Sequence, residues 1–561
     1  MRLLFISLVF TSFCYAQVEY PKDYFRSPLD IPLVLSGTFG ELRTNHFHSG
    51  LDIKTQQREG LKVYAIADGY VSRIKVQHFG YGKAVYITHP NGYTSVYGHL
   101  QSYAPKIEAY IKALQYKNES YEVEVFPTAD ELVLTKDEVI AYSGNTGGSG
   151  GPHLHFEIRD KQERTINPLL FGLDIKDSKP PFLSHIYAYP FGEDSHVNNE
   201  LTRVELRIIP TRTNEYKVES VKAMGRIGFG VVSYDRQDLA ANQNGVNGLE
   251  AFFNGNKTFE MDFNRFSFDE SRHINRFIDY QFLKTKKSRI QKLFVEDGNT
   301  LSMYKNLNDN GFITVEDETA SVYKIRIKDF HGNDAWVTIP IVGSPSTVAK
   351  EHVNETRKHY IFAHQATDLK EHNVSVYIPA DSFYDDTFID FKVASDTLYL
   401  DKDEIPLFKN ITITYDISHY KDSEKDKLYI AELLGYKKYP SYLRSKRTDN
   451  TLTASSNALG TYALTLDITP PTISPINFQD GKWLSNYRYL KFKIEDDLSG
   501  ISNYRATVNG KFILMEYEYK TKTLTFDFND HVVTDTKNEL KLIVTDNVGN
   551  NTTFEATFFR K

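Results

Sequence analysis

Along most of the chain, hydrophobic and polar residues alternate in short runs separated by glycine, proline and asparagine. Runs of about four to eight residues with this period are typical of β-strands that bury one face. Two such runs, 84–88 and 93–97, flank His89-Pro90-Asn91-Gly92, and the Asn-Gly pair is a strong hairpin-turn signal. Other runs of this kind predict the strands 62–66, 70–74, 139–142 and 153–159. We therefore expect a mainly β protein.

One region of the first third of the chain breaks this pattern. Residues 101–138 are more polar and less periodic, and we interpret them as an insertion that contains a short helix over 107–114. A glycine-rich loop, 144–151, comes next and leads directly into the strand 153–159. Further along the chain, 323–333 and 540–550 look like diverged copies of one alternating strand that runs into an Asp-x-x-Gly-Asn turn.

Length and proline pairs suggest how the chain is divided. The chain has 561 residues, and at about 100–200 residues per domain three or four domains are expected. Pro180-Pro181 and Pro470-Pro471 mark two boundaries, and a third is placed near 343. The predicted domains are 17–179, 180–343, 344–469 and 470–561. We expect an antiparallel-sheet domain followed by several β-sandwich domains, the last of them immunoglobulin-like.

The N-terminal residues have the order of a secretory signal peptide. Arg2 precedes an apolar run that ends at Phe13, and Ala16 offers a small residue for cleavage after 1–16. The run is too short for an ordinary transmembrane helix, and no later segment resembles one. Cys14, the only cysteine, follows Phe13 rather than the small residue of a lipoprotein signal. We expect export to the periplasm or cell surface, with no disulfide, thiol ligand or membrane span in the mature chain.

Composition narrows the possible partners. Hydrophobic residues make up 40% of the chain, charged residues 25% and aromatic residues 14%, which is typical of a folded protein rich in strands. The formal net charge of -7 gives no global basic surface for nucleic acid. The acidic run Glu495-Asp496-Asp497 offers oxygen ligands for calcium, but carboxylates that form a turn are the favoured interpretation.

Two short motifs carry candidate metal chemistry: His48-Ser49-Gly50-Leu51-Asp52, and His153-Leu154-His155 after the glycine-rich loop. Zinc binds histidine nitrogen and carboxylate oxygen, and a catalytic zinc keeps one position open for water. Without cysteine, a His/His/Asp set is the natural way to build such a site in this chain. Taken alone, each motif is as well explained by a solvated turn or a surface strand.

The strand period separates the residues of the second motif. On a strand, His153, His155 and Glu157 share one face, while Leu154 and Phe156 share the other and are predicted to be core. Neighbours on one face stand about 7 Å apart, which is far for two ligands of one zinc. We therefore expect one histidine to hold the metal and the other to lie over the reacting groups. A further histidine, His99, ends a predicted hairpin strand.

Four motifs together resemble the lysostaphin-type (LytM-like) zinc metallopeptidases in order, spacing and context. The resemblance covers about 35–170, roughly a quarter of the chain. The motifs are Ser36-Gly37-x-Phe39-Gly40, His48-x-x-x-Asp52, Tyr97-Gly98-His99-Leu100, and Gly144-Asn145-Thr146-Gly147 through Pro152-His153-Leu154-His155-Phe156-Glu157.

The resemblance implies a role for each matching residue. His48, Asp52 and His155 match the family's zinc ligands, and His153 and His99 match its two catalytic histidines. The implied chemistry is hydrolysis by a metal-activated water, in which one of these histidines takes the proton of the water and the other steadies the oxyanion or protonates the leaving amine. Glu157 or a backbone carbonyl is a further candidate to orient a ligand histidine. The insertion 101–138 departs from shorter family members and would narrow, cover or extend the cleft.

The expected function is therefore a zinc-dependent endopeptidase that cuts the peptide cross-links of bacterial peptidoglycan, and in a Gram-negative-like envelope these would be D-alanyl–diaminopimelate bonds. Two alternatives stay open from the sequence. One is a cell-wall binding or scaffolding protein whose zinc site is blocked, and the other is a general secreted metalloprotease. The C-terminal β domains are expected to bind the cell wall or another envelope protein without catalysis.

Overall fold

The computed structural model describes residues 19–346 and 355–561. The predicted signal peptide, 1–16, and Cys14 lie outside these residues. The described chain is mainly β, and its sheets are antiparallel apart from a few parallel pairs, which confirms the predicted fold class. Within 19–346 and 355–561, no helix combines the length and the hydropathy that a bilayer crossing requires.

The first part of the chain forms one large sheet and a small three-stranded one. Its helix α1 is Pro105–Asn118. Strands β1 to β12 are, in order, Leu35–Gly37, Leu51–Lys54, Lys62–Tyr64, Gly69–Val76, Lys83–Thr88, Thr94–Gly98, Leu100–Tyr103, Val123–Val125, Val133–Leu134, Val139–Ser143, His153–Arg159 and Thr165–Ile166. The large sheet has the order β1-β2-β11-β6-β5-β4-β8, and the small sheet has the order β3-β10-β7.

Strand β11 occupies the middle of the large sheet and brings the candidate residues together. Its antiparallel pairing with β2 sets His155 opposite Asp52, and its pairing with β6 sets His155 opposite Gly98. Leu154 and Phe156 are fully buried on the other face, as the two-residue period predicted. The strand register therefore places His155, Asp52 and the residue before His99 next to one another in the sheet.

The insertion 101–138 contains the predicted helix, which is longer than 107–114. Helix α1 starts at Pro105, a favoured first helical residue, and ends before Glu119, which adopts a left-handed conformation with φ 46°. Ile107 and Ile111 are buried against the first domain. The Tyr116 hydroxyl on the same helix donates a hydrogen bond to Asp530 at 2.7 Å. The insertion therefore forms a docking surface for the last part of the chain.

The next part adds a twelve-stranded sheet. Strands β13 to β25 are, in order, Phe182–Val197, Val204–Leu206, Ile208–Arg212, Glu215–Val218, Val221–Tyr234, Gly248–Phe253, Asn256–Asp262, Arg265–Phe266, Gln291–Lys292, Tyr304–Leu307, Ile313–Val315, Ala320–Lys328 and Asp334–Gly343, with helices α2 Ile274–Phe277 and α3 Tyr280–Lys286. Strand β20 does not belong to this sheet; it pairs with β12 and so joins the large sheet of the first domain. The hydrophobic core runs without a break from Phe25 to Ile341, so these two parts of the chain share one interior.

The last two parts each have a separate hydrophobic core, and they contain three sheets and two sheets respectively. Strands β26 to β37 are His359–Ile361, Thr367–Glu371, Val374–Ile378, Thr387–Ile389, Phe391–Ala394, Thr397–Leu400, Ile411–Asp416, Leu428–Leu434, Tyr439–Tyr442, Ser445–Thr448, Thr451–Ser456 and Gly460–Leu466, with helix α4 Asp422–Lys425. Strands β38 to β46 are Thr472–Pro475, Lys482–Trp483, Tyr489–Glu495, Ile501–Val508, Lys511–Ile513, Glu516–Glu518, Thr523–Asp527, Lys537–Asp546 and Asn551–Phe559.

The final part folds back onto the first domain. Glu516 pairs with the buried Lys83 at 2.9 Å. The Lys520 ammonium donates hydrogen bonds to the carbonyls of Gly147 and Ser149, both at 3.2 Å, and to that of Asn145. These carbonyls belong to the glycine-rich loop that precedes β11. The last domain therefore holds a loop that borders the candidate site, although about 370 residues separate the two in sequence.

Candidate metal centre and active-site cleft

Three side chains of the first domain converge on one point. His48 Nε2 lies 3.0 Å from Asp52 Oδ1, and both atoms lie close to His155 Nδ1, at 3.2 Å and 3.0 Å respectively. The residues come from the loop before β2, from β2 itself and from β11. His48 and His155 are 6% and 3% exposed, so water does not surround their rings. The sequence-predicted ligand set is thus assembled in space.

The hydrogen bonds on the far side of each ring fix which nitrogen faces this point. His48 Nδ1 donates to the carbonyl of Thr38 at 2.8 Å, and His155 Nε2 donates to Glu157 Oε1 at 2.8 Å. Each neutral imidazole therefore directs a lone pair inward, where Asp52 also presents an oxygen acceptor. Three acceptors facing one another repel unless a cation or a proton lies between them.

The spacing of these atoms fits a zinc ion. Zinc bonds of about 2.0–2.1 Å at a tetrahedral ion place neighbouring ligand atoms about 3.3 Å apart, close to the 3.0–3.2 Å found here. Two imidazoles and one carboxylate are also a donor set that zinc accepts, and three protein ligands leave the fourth position open.

The electrostatics of the ion-free centre point the same way. Burial raises the pKa of Asp52, but the nearby His48, His153 and His155 outweigh it and hold the pKa of this carboxyl well below its usual range. Burial lowers the pKa of His155, and the Asp52 and Glu157 carboxylates more than compensate and raise it to about 9. The centre therefore attracts positive charge, which a proton supplies when no metal is bound.

A buried network around Glu157 supports the His155 ring. Glu157 is fully buried and accepts hydrogen bonds from Ser49 Oγ at 2.7 Å, from Arg159 Nε at 2.7 Å and from the Tyr81 hydroxyl. The Tyr81 ring also stacks on His155, with centroids 4.8 Å apart. Burial raises the pKa of Glu157, but Arg159 and His155 outweigh it and keep this carboxyl ionised. The network fixes the orientation of a ligand imidazole from behind.

Asp52 is held by a second contact. Arg43 Nη2 lies 3.1 Å from Asp52 Oδ2, which leaves Oδ1 for the centre. Gly37 makes room for this pair, because a Cβ at that position would come within 2.6 Å of both Arg43 and Asp52. Sequence reasoning singled out neither Arg43 nor Tyr81. No periodicity or spacing connects either residue with the histidine motifs.

His153 and His99 lie side by side next to the three converging atoms, with ring centroids 4.7 Å apart. His153 Nε2 is 3.4 Å from Asp52 Oδ1, while its Nδ1 donates to the carbonyl of Gly151 at 2.8 Å. His99 Nδ1 donates to the carbonyl of Thr146 at 2.8 Å. Each ring thus keeps Nε2 as its acceptor nitrogen, and the glycine-rich loop supplies both orienting carbonyls.

The backbone of His99 adopts a strained, left-handed conformation. Its φ of 57° lies in the left-handed region, which is uncommon for a residue other than glycine. The His99 amide donates to the carbonyl of Tyr81 at 2.8 Å and holds this conformation. Burial, together with the positive charge of His155 and His153, lowers the pKa of His99 to about 3. The ring is therefore neutral at physiological pH.

These residues open into a cleft of about 1400 Å³ that two parts of the chain line together. The first domain contributes the five predicted site residues, together with His46 and Tyr81. The second part contributes Leu239, Phe268, Ser271 and Arg272. Residues 101–138 contribute nothing to the lining, so the insertion does not narrow, cover or extend this cleft. The sequence did not point to the second part as a cleft wall.

Similarity to known proteins agrees with this geometry. Residues 46–116 match peptidase family M23. The chain carries an M23 peptidase domain. The resemblance to LytM-type peptidases is thereby confirmed, and the family is one of metallopeptidases. Farther along, residues 358–467 match a Zu5-like domain.

Two curated relatives each match part of the chain. An uncharacterized metalloprotease of Haemophilus influenzae is 33% identical over 158 residues, which is 27% of this chain and 28% of that protein. DD-carboxypeptidase/endopeptidase Mpg of Neisseria meningitidis serogroup B is 33% identical over 159 residues, 28% of each protein. The chain thus spans just over a quarter of the length of these relatives.

One similar solved structure is the catalytic domain of lysostaphin from Staphylococcus simulans. It is 22% identical to this chain and has a TM-score of 0.18. The aligned region covers 24% of this chain and 87% of that domain.

Proposed function

We propose that the protein is a zinc-dependent endopeptidase that hydrolyses peptide cross-links of bacterial peptidoglycan. One observation carries this proposal: three acceptor atoms lie 3.0–3.2 Å apart, and each imidazole is oriented by a hydrogen bond on its far side. In this proposal His48, Asp52 and His155 hold the metal. The M23 match and the relative named a DD-carboxypeptidase/endopeptidase support peptide hydrolysis at the cell wall.

When bound, zinc supplies Lewis acidity that activates a water and polarises the scissile carbonyl. The chain's own residues would then manage the protons. In the neutral form of His153 and of His99, Nε2 is the nitrogen that accepts a proton, because Nδ1 of each ring donates to a backbone carbonyl. One of them accepts the proton of the attacking water, and the resulting imidazolium donates to the oxyanion or to the leaving amine. Placing the two rings 4.7 Å apart lets them divide these tasks.

The remaining parts of the chain are proposed as interaction modules. We retain the division near 179, 343 and 470, with non-catalytic β domains at 180–343, 344–469 and 470–561. The Zu5-like match at 358–467 lies inside the third of the four parts. Export to the periplasm or cell surface also belongs to the proposal, because a peptidoglycan substrate is found only there.

Digestion of purified peptidoglycan sacculi tests the function. The purified protein should release muropeptides with fewer cross-links. A chelator should stop the release and added zinc should restore it, as followed by mass spectrometry. His155→Ala should abolish the release, and His372→Ala should retain it, because His372 is an exposed histidine of the third part that does not line the cleft. Undiminished cleavage by His155→Ala would exclude the assigned centre, and cleavage of casein alone would favour a general protease.

A further inference from the structure

A second group of converging side chains lies at the junction of the first two parts of the chain. Ligand atoms of Asp177, Asp329 and His331 lie within 4.8 Å of one another. Asp177 stands three residues before the proline pair at 180–181, and Asp329 begins the Asp-x-x-Gly-Asn turn that follows β24. The turn binds the linker, since Asn333 Nδ2 donates to the Asp177 carbonyl at 3.2 Å.

A fourth side chain points into this group from the end of β17. Asp235 is 3% exposed, and in the described part of the chain its Oδ1 has no hydrogen-bond donor. Asp235, Asp177 and His331 line a cavity of about 20 Å³, which has room for one water-sized sphere. A buried carboxylate oxygen that no donor satisfies costs free energy and calls for a partner in that cavity.

No lysine or arginine of the described chain balances the charge of the group. Among the residues that the structure describes, none of Asp177, Asp235 and Asp329 forms an ion pair with lysine or arginine. Burial, reinforced by Asp177 and Asp329, raises the pKa of Asp235 to about 8, and burial also raises the pKa of Asp177 and of Asp329. Three carboxylates crowded in this way need either a shared proton or a cation.

The hydrogen bonds of the group leave its inner face free. Lys179 N donates to Asp177 Oδ1 at 3.1 Å. The backbone N–H of Asn333 donates a hydrogen bond to Asp329 Oδ1 at 2.8 Å, and the side-chain Nδ2 of Asn333 donates one to Asp329 Oδ2 at 2.6 Å. Because a carboxylate oxygen has two lone pairs, these bonds orient the two carboxylates and still leave lone pairs for a ligand.

The same arrangement is built a second time at the other proline pair. Ligand atoms of Asp467, Asp496 and Asp546 lie within 4.8 Å of one another. Asp467 stands three residues before the pair at 470–471 and accepts from Thr469 N at 3.1 Å. The backbone N–H of Asn550 donates a hydrogen bond to Asp546 Oδ1 at 2.8 Å, and the side-chain Nδ2 of Asn550 donates one to the backbone carbonyl of Asp467 at 2.9 Å. The diverged copies 323–333 and 540–550 thus recur together with their acidic partners.

We propose that Asp177, Asp235 and Asp329 form a binding site for a divalent, oxygen-preferring cation, of which Ca²⁺ is the best fit. Ca²⁺ takes six to eight oxygen ligands in flexible geometry, and three carboxylates that bind through one or both oxygens supply three to six of them. The site needs no zinc and is independent of the proposed peptidase activity.

A cation here would brace one wall of the cleft. The cleft loop, residues 236–246, starts directly after Asp235 and contacts the first domain: Leu35 N donates to Gln237 Oε1 at 3.1 Å, and Gly245 N donates to Thr38 Oγ1 at 2.9 Å. Leu239 of this loop lines the cleft. A bound cation would tie the loop, the linker and β24 together at one point.

Calcium binding to the zinc-loaded, full-length protein tests the proposal, measured by isothermal titration calorimetry and by equilibrium dialysis with radioactive Ca²⁺. Asp235→Asn should bind one Ca²⁺ per chain fewer than the wild type, and Ca²⁺ should raise its unfolding midpoint less. Asp174→Asn, an exposed acid on the same segment, should match the wild type. Because the stoichiometry is counted per chain, the loss of one Ca²⁺ can be detected even if the second group, Asp467, Asp496 and Asp546, also binds Ca²⁺.

Several results would overturn the assignment. Equal Ca²⁺ stoichiometry in Asp235→Asn and the wild type would do so. Absence of Ca²⁺ binding to the wild type, with an unfolding midpoint that Ca²⁺ does not change, would mean that the carboxylates share a proton. Binding confined to Mn²⁺ or Zn²⁺ would point to His331 and away from an oxygen-only site. If Asp235→Asn fails to fold, Asp177→Asn on the half-buried linker should show the same loss of one Ca²⁺.

Discussion

The histidine centre (His48, Asp52 and His155) and the carboxylate group near the first proline pair (Asp177, Asp235 and Asp329) are both clusters of hydrogen-bond acceptors, but they differ in their ligand atoms. Each gathers acceptor atoms that repel one another, and each leaves the inner space for a positive charge. At the centre, His48 and His155 direct nitrogen lone pairs inward, whereas Asp177, Asp235 and Asp329 offer only oxygen. From this difference we infer that the ligand atom, more than the geometry, selects the ion, which is why we propose zinc for the first site and a harder cation for the second.

The two sites also differ in how they were put together. The centre sits on paired strands, with His155 opposite Asp52 in register, and Glu157 holds the ligand ring from behind. The carboxylate group collects its members from a linker, a strand end and a turn. We therefore expect proton competition and outer hydrogen bonds to matter most at the first site, and net charge to matter most at the second.

The largest effect should be the pH dependence of zinc binding at the centre. The pKa of His155 in the ion-free site is raised to about 9, so below that pH a proton must leave before zinc can bind. Zinc affinity should therefore fall by about tenfold for each pH unit below 9. Titration with a competing chelator at several pH values would measure the slope. A flat profile between pH 9 and pH 7 would show that His155 does not exchange its proton for the metal.

The second effect tests the support behind the ligand. Glu157→Gln keeps the shape of the side chain but removes the charge that faces His155 Nε2 at 2.8 Å. Zinc affinity should drop by about 10–100-fold. Glu163→Gln is the matched control, because Glu163 is exposed and also contacts Arg159. If the two variants lost zinc affinity equally, the effect would come from the contact of each glutamate with Arg159 and not from the hydrogen bond of Glu157 to the His155 ring.

The third effect concerns stability at the carboxylate group when no divalent cation is present. The pKa of Asp235 is raised to about 8, so between about pH 5 and about pH 7 the folded protein keeps a proton that the unfolded chain has released. The wild type should therefore lose up to about 1.4 kcal/mol per pH unit relative to Asp235→Asn as the pH rises, and the loss should stop above about pH 8. Urea unfolding of both proteins in chelator would measure this difference, and parallel curves would contradict it.

The smallest effect should come from the contact of the last domain with the glycine-rich loop. Lys520→Ala removes the hydrogen bonds to the carbonyls of Gly147 and Ser149, which lie next to the loop carbonyls that orient His99 and His153. We expect kcat/KM on sacculi to fall by a few fold, about 1 kcal/mol. Lys522→Ala on the same hairpin should leave it unchanged, because Lys522 pairs with Glu495 and makes none of these hydrogen bonds. Equal kcat/KM values for the two variants would show that the contact of Lys520 with the glycine-rich loop does not affect activity.

Local pattern was enough for much of the fold and for the core of the site. The two-residue period placed His155 and Glu157 on one face of β11 and Leu154 and Phe156 on the other, as the structure has them. The helix of the insertion was predicted over 107–114 and spans Pro105–Asn118, because the proline start and the left-handed end extend the periodic segment.

Long-range contacts account for what the sequence did not reveal. Tyr81 reaches Glu157 across the sheet, and Arg272 enters the cleft from the second part, but neither position carries a spacing that relates it to a histidine motif. The Asp-x-x-Gly-Asn turns were visible as repeats. Their meeting with Asp177 and Asp467 depends on how the linkers fold back, which a strand pattern does not encode.

The return of the last domain to the first has a consequence for the order of assembly. A chain is synthesised from its N-terminus, so the strands and loops that carry the five predicted site residues are complete long before Lys520 exists. Lys520 can contact the glycine-rich loop only after nearly the whole polypeptide has been made and the last domain has folded. In a nascent or truncated chain, the histidines proposed to be catalytic would thus lie next to an untethered loop, and we expect full peptidase activity only from a chain that has been completed.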